Sequence, residues 1–162
     1  MKRALVTGGS GGIGSAICRR LAANGCYVYI HANRNLAKAQ ALVDEIRNGG
    51  GQAEAIAFDV TDADASREAL EALVADTPIQ VLVNNAGTHD DAVFPGMSAA
   101  QWHSVLDVSL SGFFNVTQPL TMPMLRSRWG RIVNITSIAG LTGNRGQVNY
   151  AAAKGALHSA TK

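Results

Sequence analysis

Residues 3–14 read RALVTGGSGGIG: a short apolar run from Arg3 to Thr7, glycines at 8, 9, 11, 12 and 14, and the opening of a stretch that carries Ile13, Ile17 and Leu21 at helical spacing. An apolar strand that ends in a glycine-rich turn and feeds an amphipathic helix is the opening of a βαβ unit that holds a dinucleotide. Gly8, Gly12 and Gly14 let the turn close tightly and bring backbone amides to a pyrophosphate, at a helix N-terminus that favours negative charge. The whole segment Thr7, Gly8, Ser10, Gly12, Ile13 and Gly14 is therefore a candidate nucleotide-binding loop. A glycine triad is weak evidence by itself, and a ligand-free flexible turn is the other reading.

The same alternation continues along the chain. Short apolar runs suited to buried parallel strands recur at 27–32 (YVYIHA), 53–60 (AEAIAFDV), from 79 (IQVLVNNAG) and at 131–137 (RIVNITS). Between them lie amphipathic stretches with expected inward faces at Ile13, Ile17 and Leu21, then Leu36, Leu42, Val43 and Ile46, then Leu70, Leu73 and Val74. Asp62 is a candidate N-cap, Ser98 with Gln101 forms a capping-box pattern before a long fourth helix, and NGGG at 48–51 reads as a helix stop. Pro119 and Pro123 are expected to kink or end that fourth helix. Five parallel strands joined by right-handed crossovers predict an α/β fold, a Rossmann-type doubly wound sheet whose ligand crevice lies beyond the carboxyl ends of the strands.

The 162 residues suit one domain, residues 1–162, with one core. Hydrophobic residues make up 47% and charged residues 16%, which excludes a disordered chain. A net charge of +2 with no basic stripe argues against nucleic acid as a partner. No apolar stretch reaches membrane-spanning length and the N-terminal apolar run is too short for a signal peptide, so a cytoplasmic location is expected. Cys18 and Cys26 have neither CxxC spacing nor histidines at ligand spacing, and no metal site is expected.

Ligand choice is read after the second strand, in IHANRNLAK. No carboxylate stands between Tyr27 and Asp44 to hold a ribose 2′-hydroxyl, and Arg34 occupies the region where one would be expected. A guanidinium pairs instead with a 2′-phosphate, which favours NADP(H) over NAD. The competing reading is a solvated arginine at a helix start.

TGGSGGIG, Asp59-Val60, NNAG at 84–87, Ser137 in NITSIAG, and Tyr150-x-x-x-Lys154 stand in the order and approximate spacing of the short-chain dehydrogenase/reductase family, which the chain resembles from Lys2 to Lys162. The stretch GRIVNITSIAGLTGNRGQVNYAAAK further resembles the 3-oxoacyl-acyl-carrier-protein reductases, with acetoacetyl-CoA reductases close behind. The resemblance implies NADPH-dependent reduction of a 3-oxoacyl thioester to the 3-hydroxyacyl thioester, as in fatty-acid biosynthesis. Tyr150 would protonate the carbonyl oxygen, Lys154 would favour release of that proton and hold the nicotinamide ribose, and Ser137 would hydrogen-bond the carbonyl oxygen. It also implies that Asp59 and Val60 line the adenine pocket and that Asn85, Ala86 and Gly87 pass the adenosine half, although a turn-forming aspartate and strand-tying asparagines explain these positions as well.

Ser109 stands where the family places an asparagine that completes a proton relay through water. It lies on the helical face Trp102, Leu106, Ser109, Phe113, where a buried hydroxyl either holds a water or bonds its own i−4 carbonyl. Arg126, Arg128 and Arg131 surround Trp129, where such reductases bind an acidic acyl carrier protein; cations favouring a helix C-terminus explain them equally well. The resemblance implies a homo-oligomer, a tetramer or dimer, and a chain truncated at its C-terminus, since relatives continue into further strands and a substrate lid. Two other functions stay open: another NADP-dependent carbonyl reductase, and an inactive nucleotide-binding or scaffold protein.

Overall fold

The computed structural model describes residues 1–162. Strands β1 (Arg3–Val6), β2 (Tyr27–Ala32), β3 (Gln52–Ala57), β4 (Val81–Asn84) and β5 (Arg131–Asn134) form one sheet in the order β3-β2-β1-β4-β5. Every neighbouring pair is parallel. Helices α1 (Gly12–Ala23), α2 (Leu36–Asn48), α3 (Ala63–Val74), α4 (Ala99–Leu106), α5 (Gly112–Arg126), α6 (Ala139–Thr142) and α7 (Val148–Ala160) complete the fold. The expected doubly wound α/β sheet is therefore present, with strands two to three residues shorter than their apolar runs at several ends. None of the helices is long and apolar enough to cross a membrane.

Side chains alternate across the sheet and build two cores. Val6, Val28 and Ile30 pack with Cys18 and Ala22 of α1 and Leu42, Val43 and Ile46 of α2. Leu5, Tyr29 and Leu82 face the other way, onto Leu70 of α3 and Val116, Leu120 and Met124 of α5. Each fully buried aliphatic side chain contributes about 1.5–3 kcal/mol, so both layers hold the strand ends rigidly. Burial also pushes the Cys18 thiol up to about 12, which makes it an inert core group.

Expected caps are in place. The Asp62 carboxylate accepts from the Asp64 and Ala65 amides, Ser98 and Gln101 form the capping box, and α2 stops at Gly49 before Gly50 turns with φ +83°. Two inward-face expectations fail at helix starts. Ile13 is 64% exposed and Leu36 46% exposed, each in the first turn of its helix, outside the buried line that begins at Gly14 in α1 and at Ala39 in α2. In α1 the most buried residues are Gly14, Cys18 and Ala22, one position away from the expected face, with Ile17 and Leu21 flanking the core.

The prolines do not end the fourth helix, since α5 runs through Pro119 and Pro123 to Arg126. A helical proline costs about 3 kcal/mol, and the burial of Val116, Leu120 and Met124 around them offsets it. The irregularity lies upstream instead, where Asp107–Ser111 form a π-helical turn closed by the Gly112 amide on the Asp107 carbonyl. After α5, Arg128 takes a left-handed φ of +54°, and the Arg128 and Trp129 amides close back onto Leu125 and Met124.

Candidate active site

The strand order reverses between β1 and β4, and the crevice opens at their carboxyl ends. Thr7 and Asn85 knit this switch point together. The Thr7 hydroxyl accepts from the Asn85 and Ala86 amides, each at 3.0 Å, while the Asn85 side-chain amide donates to the Thr7 and Gly8 carbonyls at 2.9 and 3.1 Å. Asn84 similarly ties β4 to Asn134 of β5 and to Thr117 of α5. Both residues thus fix the crevice walls, the structural role that small amide side chains suggested.

The glycine turn splits into packed and open positions. Gly8 has φ +60°. At Gly14 a Cβ would lie 2.3 Å from the Gly8 carbonyl oxygen and 2.8 Å from the Asn85 amide nitrogen, so that glycine is required by packing. At Gly12 a Cβ would meet nothing within 4 Å. Helix α1 starts from Gly11 with no side-chain cap and no acidic residue in its first turn, which leaves its leading amides and positive dipole end for an anion.

Arg34 is exposed in the loop that follows β2, and no carboxylate lies within ion-pair distance of it. Asp59, after β3, accepts from the Thr61 amide at 2.9 Å and hydroxyl at 2.7 Å. These bonds hold its carboxyl below the usual aspartate range against a smaller opposing effect of burial, with the Arg34 charge helping. Val60 is buried, its side chain against Gly112, where a Cβ would come within 2.8 Å of it.

Helix α7 carries Tyr150 and Lys154 on one face, with the Lys154 Nζ 5.7 Å from the centre of the Tyr150 ring. Lys154 is only 4% exposed, and its ammonium donates to the Ile135 carbonyl at 2.8 Å. Burial holds it below the usual lysine value. Ser137 lies in the loop after β5, its hydroxyl oxygen accepting from the Ala139 amide at 3.2 Å and its carbonyl 3.2 Å from His158 Nε2. The two segments meet through glycines: a Cβ at Gly140 would lie 2.6 Å from the Gly155 nitrogen and 2.7 Å from the Lys154 carbonyl carbon. This backbone-to-backbone contact between α6 and α7 registers Ser137 against Lys154, and only glycine permits it.

Ser109 sits in the π-helical turn, 2% exposed, and its hydroxyl has no hydrogen-bond partner. The expectation that it could bond its own i−4 carbonyl fails. The deepest line of this helical face is Val105, Ser109, Gly112 and Val116, with Trp102, Leu106 and Phe113 only half-buried. A Cβ at Gly87 would lie 3.4 Å from Lys154 Nζ and 3.7 Å from Ser109 Oγ, so the missing side chain of Gly87 leaves both groups facing one small space. An unpartnered buried hydroxyl costs about 1–3 kcal/mol. Ser109→Ala is accordingly expected to raise unfolding stability by about 1 kcal/mol in a denaturant titration; a loss of stability would show that an ordered partner satisfies the hydroxyl.

Arg131 opens β5, whereas Ser137 follows its far end, so the Arg128, Trp129 and Arg131 cluster lies at the sheet edge opposite the crevice. There Lys2 and Arg131 approach the Trp129 ring at 3.9 and 4.9 Å from its centre.

Sequence reasoning missed His31. It is 1% exposed at the end of β2, where its Nδ1 receives the Gly8 amide at 3.1 Å and its Nε2 lies 2.8 Å from the Phe58 carbonyl. The available signal was a lone imidazole inside YVYIHA, an otherwise apolar strand that carries tyrosines at 27 and 29 on the same face.

Comparison with known proteins agrees with this arrangement. A family model described as short chain dehydrogenase matches residues 2–162. Nodulation protein G of Azospirillum brasilense is 41% identical over 169 residues, which covers 99% of this chain and 66% of that protein. The 3-oxoacyl-[acyl-carrier-protein] reductase FabG of Aggregatibacter actinomycetemcomitans is 42% identical over 163 residues, covering 98% of this chain and 66% of that one. Among solved structures, a gluconate 5-dehydrogenase from Burkholderia cenocepacia in complex with NADP and tartrate superposes with a TM-score of 0.93 at 35% identity, covering 99% of this chain and 63% of the other. The chain therefore spans just under two thirds of the length of these relatives. With a glycine turn at the switch point and a tyrosine–lysine pair on α7 facing the serine loop after β5, the chain belongs to the short-chain dehydrogenase family.

Proposed function

We propose that the protein reduces the carbonyl of a 3-oxoacyl thioester with NADPH. One observation carries the reading: a buried ammonium lies one helical turn from an otherwise uncommitted phenol, on a helix that packs through Gly155 against Gly140 of the segment that carries Ser137. A reduced nicotinamide dinucleotide supplies hydride when bound. The residues fit such a group, because Gly12 leaves open space above the uncapped start of α1 and Arg34 is exposed and unpaired beside Asp59. Thr7, Gly8, Ser10, Gly12, Ile13, Gly14, Arg34, Asp59, Val60, Asn85, Ala86 and Gly87 form its crevice.

Tyr150 delivers its proton to the carbonyl oxygen. Ser137 accepts from the Ala139 amide and donates to no group of the fold, so its proton is available to stabilise charge developing on that oxygen. Lys154 gives one of its three protons to the Ile135 carbonyl and keeps two for the phenol and a ribose hydroxyl. Ser109, sharing the space beside Gly87, stands at the inner end of the proton path and, lacking an amide, conducts it less well; Ser109→Asn raises turnover if so.

Arg34 supplies the preference for the 2′-phosphate. Arg34→Ala is expected to weaken NADPH binding about tenfold, as loss of one charge-assisted hydrogen bond at an exposed site, and to leave NADH binding unchanged in a fluorescence titration. Equal losses for both nucleotides would exclude that role.

The thioester reading is supported by similarity to the 3-oxoacyl reductases. The gluconate 5-dehydrogenase superposition supports a second reading, reduction of a keto sugar acid. Oxidation of NADPH by acetoacetyl-CoA against a ketogluconate separates them, and NADPH binding without turnover of either points to a nucleotide-binding protein. A carrier-linked thioester would have to enter at the crevice, and Arg126, Arg128 and Arg131, expected from the sequence to dock an acidic carrier protein, lie at the opposite end of β5, which leaves the helix C-terminus as their better-supported role. Phe114, Met122 and Leu125 stay exposed on α5, in keeping with a homo-oligomer.

A further inference from the structure

We infer that His31 is a positioning residue of the nucleotide crevice, which holds the glycine turn in its binding conformation as a neutral imidazole protonated on Nε2. The inference rests on the dinucleotide reading above and extends it to a side chain outside the glycine loop.

The tautomer follows from the partners. The Gly8 amide can only donate, so Nδ1, 3.1 Å away, must be the bare nitrogen; the Phe58 carbonyl can only accept, so Nε2 carries the proton. The ring is wedged against Phe58, their centres 4.2 Å apart, and the His31 carbonyl receives the Gly9 amide at 2.8 Å. One residue thus binds two successive amides of the turn and the end of the third strand. The Gly8 carbonyl in turn accepts the Gly11 amide at 3.0 Å, and Gly11 is the residue from which α1 starts. Rotation of the Gly8 peptide would therefore move the open amides at the start of α1. Burial pushes the imidazole below the usual histidine value, with a backbone bond and the Asp59 carboxylate, the one charge acting on it, opposing less strongly. It stays neutral at pH 7.

Two variants separate the bonds. His31→Asn keeps an acceptor near the Nδ1 position and loses the donor to Phe58; His31→Gln keeps a donor near Nε2 and loses the acceptor for Gly8. Both are expected to melt at lower temperature than the parent. In an NADPH fluorescence titration His31→Gln should bind about tenfold more weakly than the parent, and His31→Asn at least about threefold more tightly than His31→Gln. A purely structural role would rank affinities with melting temperatures instead, and an Asn variant binding no tighter than the Gln variant overturns the inference. Should both variants fail to fold, the ¹⁵N spectrum of the parent at neutral pH decides: a bare Nδ1 coupled to the Gly8 amide is expected, and a protonated Nδ1 overturns the assignment. Absence of NADPH binding by the parent removes the dinucleotide reading itself, and this inference with it. Parent-like binding by His31→Gln removes only the inference.

Discussion

Tyr150→Phe is expected to lower the rate of NADPH-dependent carbonyl reduction by about 10²–10⁴-fold while leaving NADPH affinity and melting temperature within error of the parent. The size is that of a general acid removed from the transition state. The asymmetry follows from the surroundings. The phenol hydroxyl takes part in no hydrogen bond of the fold, and α7 is anchored by Asn149 on the Asp90 and Gln101 carbonyls and by Lys154 on Ile135. Loss of one oxygen atom therefore leaves the helix, the lysine and the Gly140–Gly155 contact in place. The measurement is kcat and KM by NADPH absorbance, with NADPH titration and thermal melting in parallel. A kcat reduced less than about tenfold would remove Tyr150 from the acid role; a joint collapse of affinity and melting temperature would make it structural.

Gly14→Ala should abolish detectable NADPH binding and destabilise the fold by more than the roughly 1–3 kcal/mol of ordinary overpacking. The added methyl would sit 2.3 Å from the Gly8 carbonyl oxygen and 2.8 Å from the Asn85 amide nitrogen. No rotamer relieves it, because one obstacle is backbone and the other is the amide that ties Gly8 and Thr7 to β4. Relief means pushing the glycine turn off the switch point, which opens the crevice it forms. Gly12→Ala is the internal control. Its methyl meets nothing, and alanine is the better helix former by about 1 kcal/mol, so its melting temperature should equal or exceed that of the parent. Equal behaviour of the two variants would show that the turn is flexible and its packing incidental.

The positions of the proposed catalytic trio were legible from local rules, whereas their chemical roles rest on the family resemblance. Tyr150 and Lys154 share a face through helical period, and Ser137 falls beyond a strand recognised by its apolar run. Ser109 was legible as an inward-facing residue, yet its lack of a partner was not. The carbonyl four residues back is a permitted acceptor in any regular helix, and only the π-helical turn at 107–111 changes where the hydroxyl points. Ile13 and Leu36 misled because period alone does not say at which turn of a helix the buried line begins. Pro119 and Pro123 do not end the helix because propensity yields to burial on a core-facing helix.

What this sequence determined by itself is the architecture and the order of its chemistry. Predominantly apolar strands alternating with amphipathic helices point to a parallel sheet flanked by helices, and the glycine turn after the first strand marks where its crevice opens. The tertiary structure alone decided which glycines are indispensable, which way His31 carries its proton, and that the arginines around Trp129 lie at the sheet edge away from the crevice. Those properties depend on atoms brought together from segments 23 to 78 residues apart, as in the Gly8–His31 and Thr7–Asn85 bonds. Periodicity encodes which face a residue occupies, whereas distances between remote faces exist only once the layers have packed.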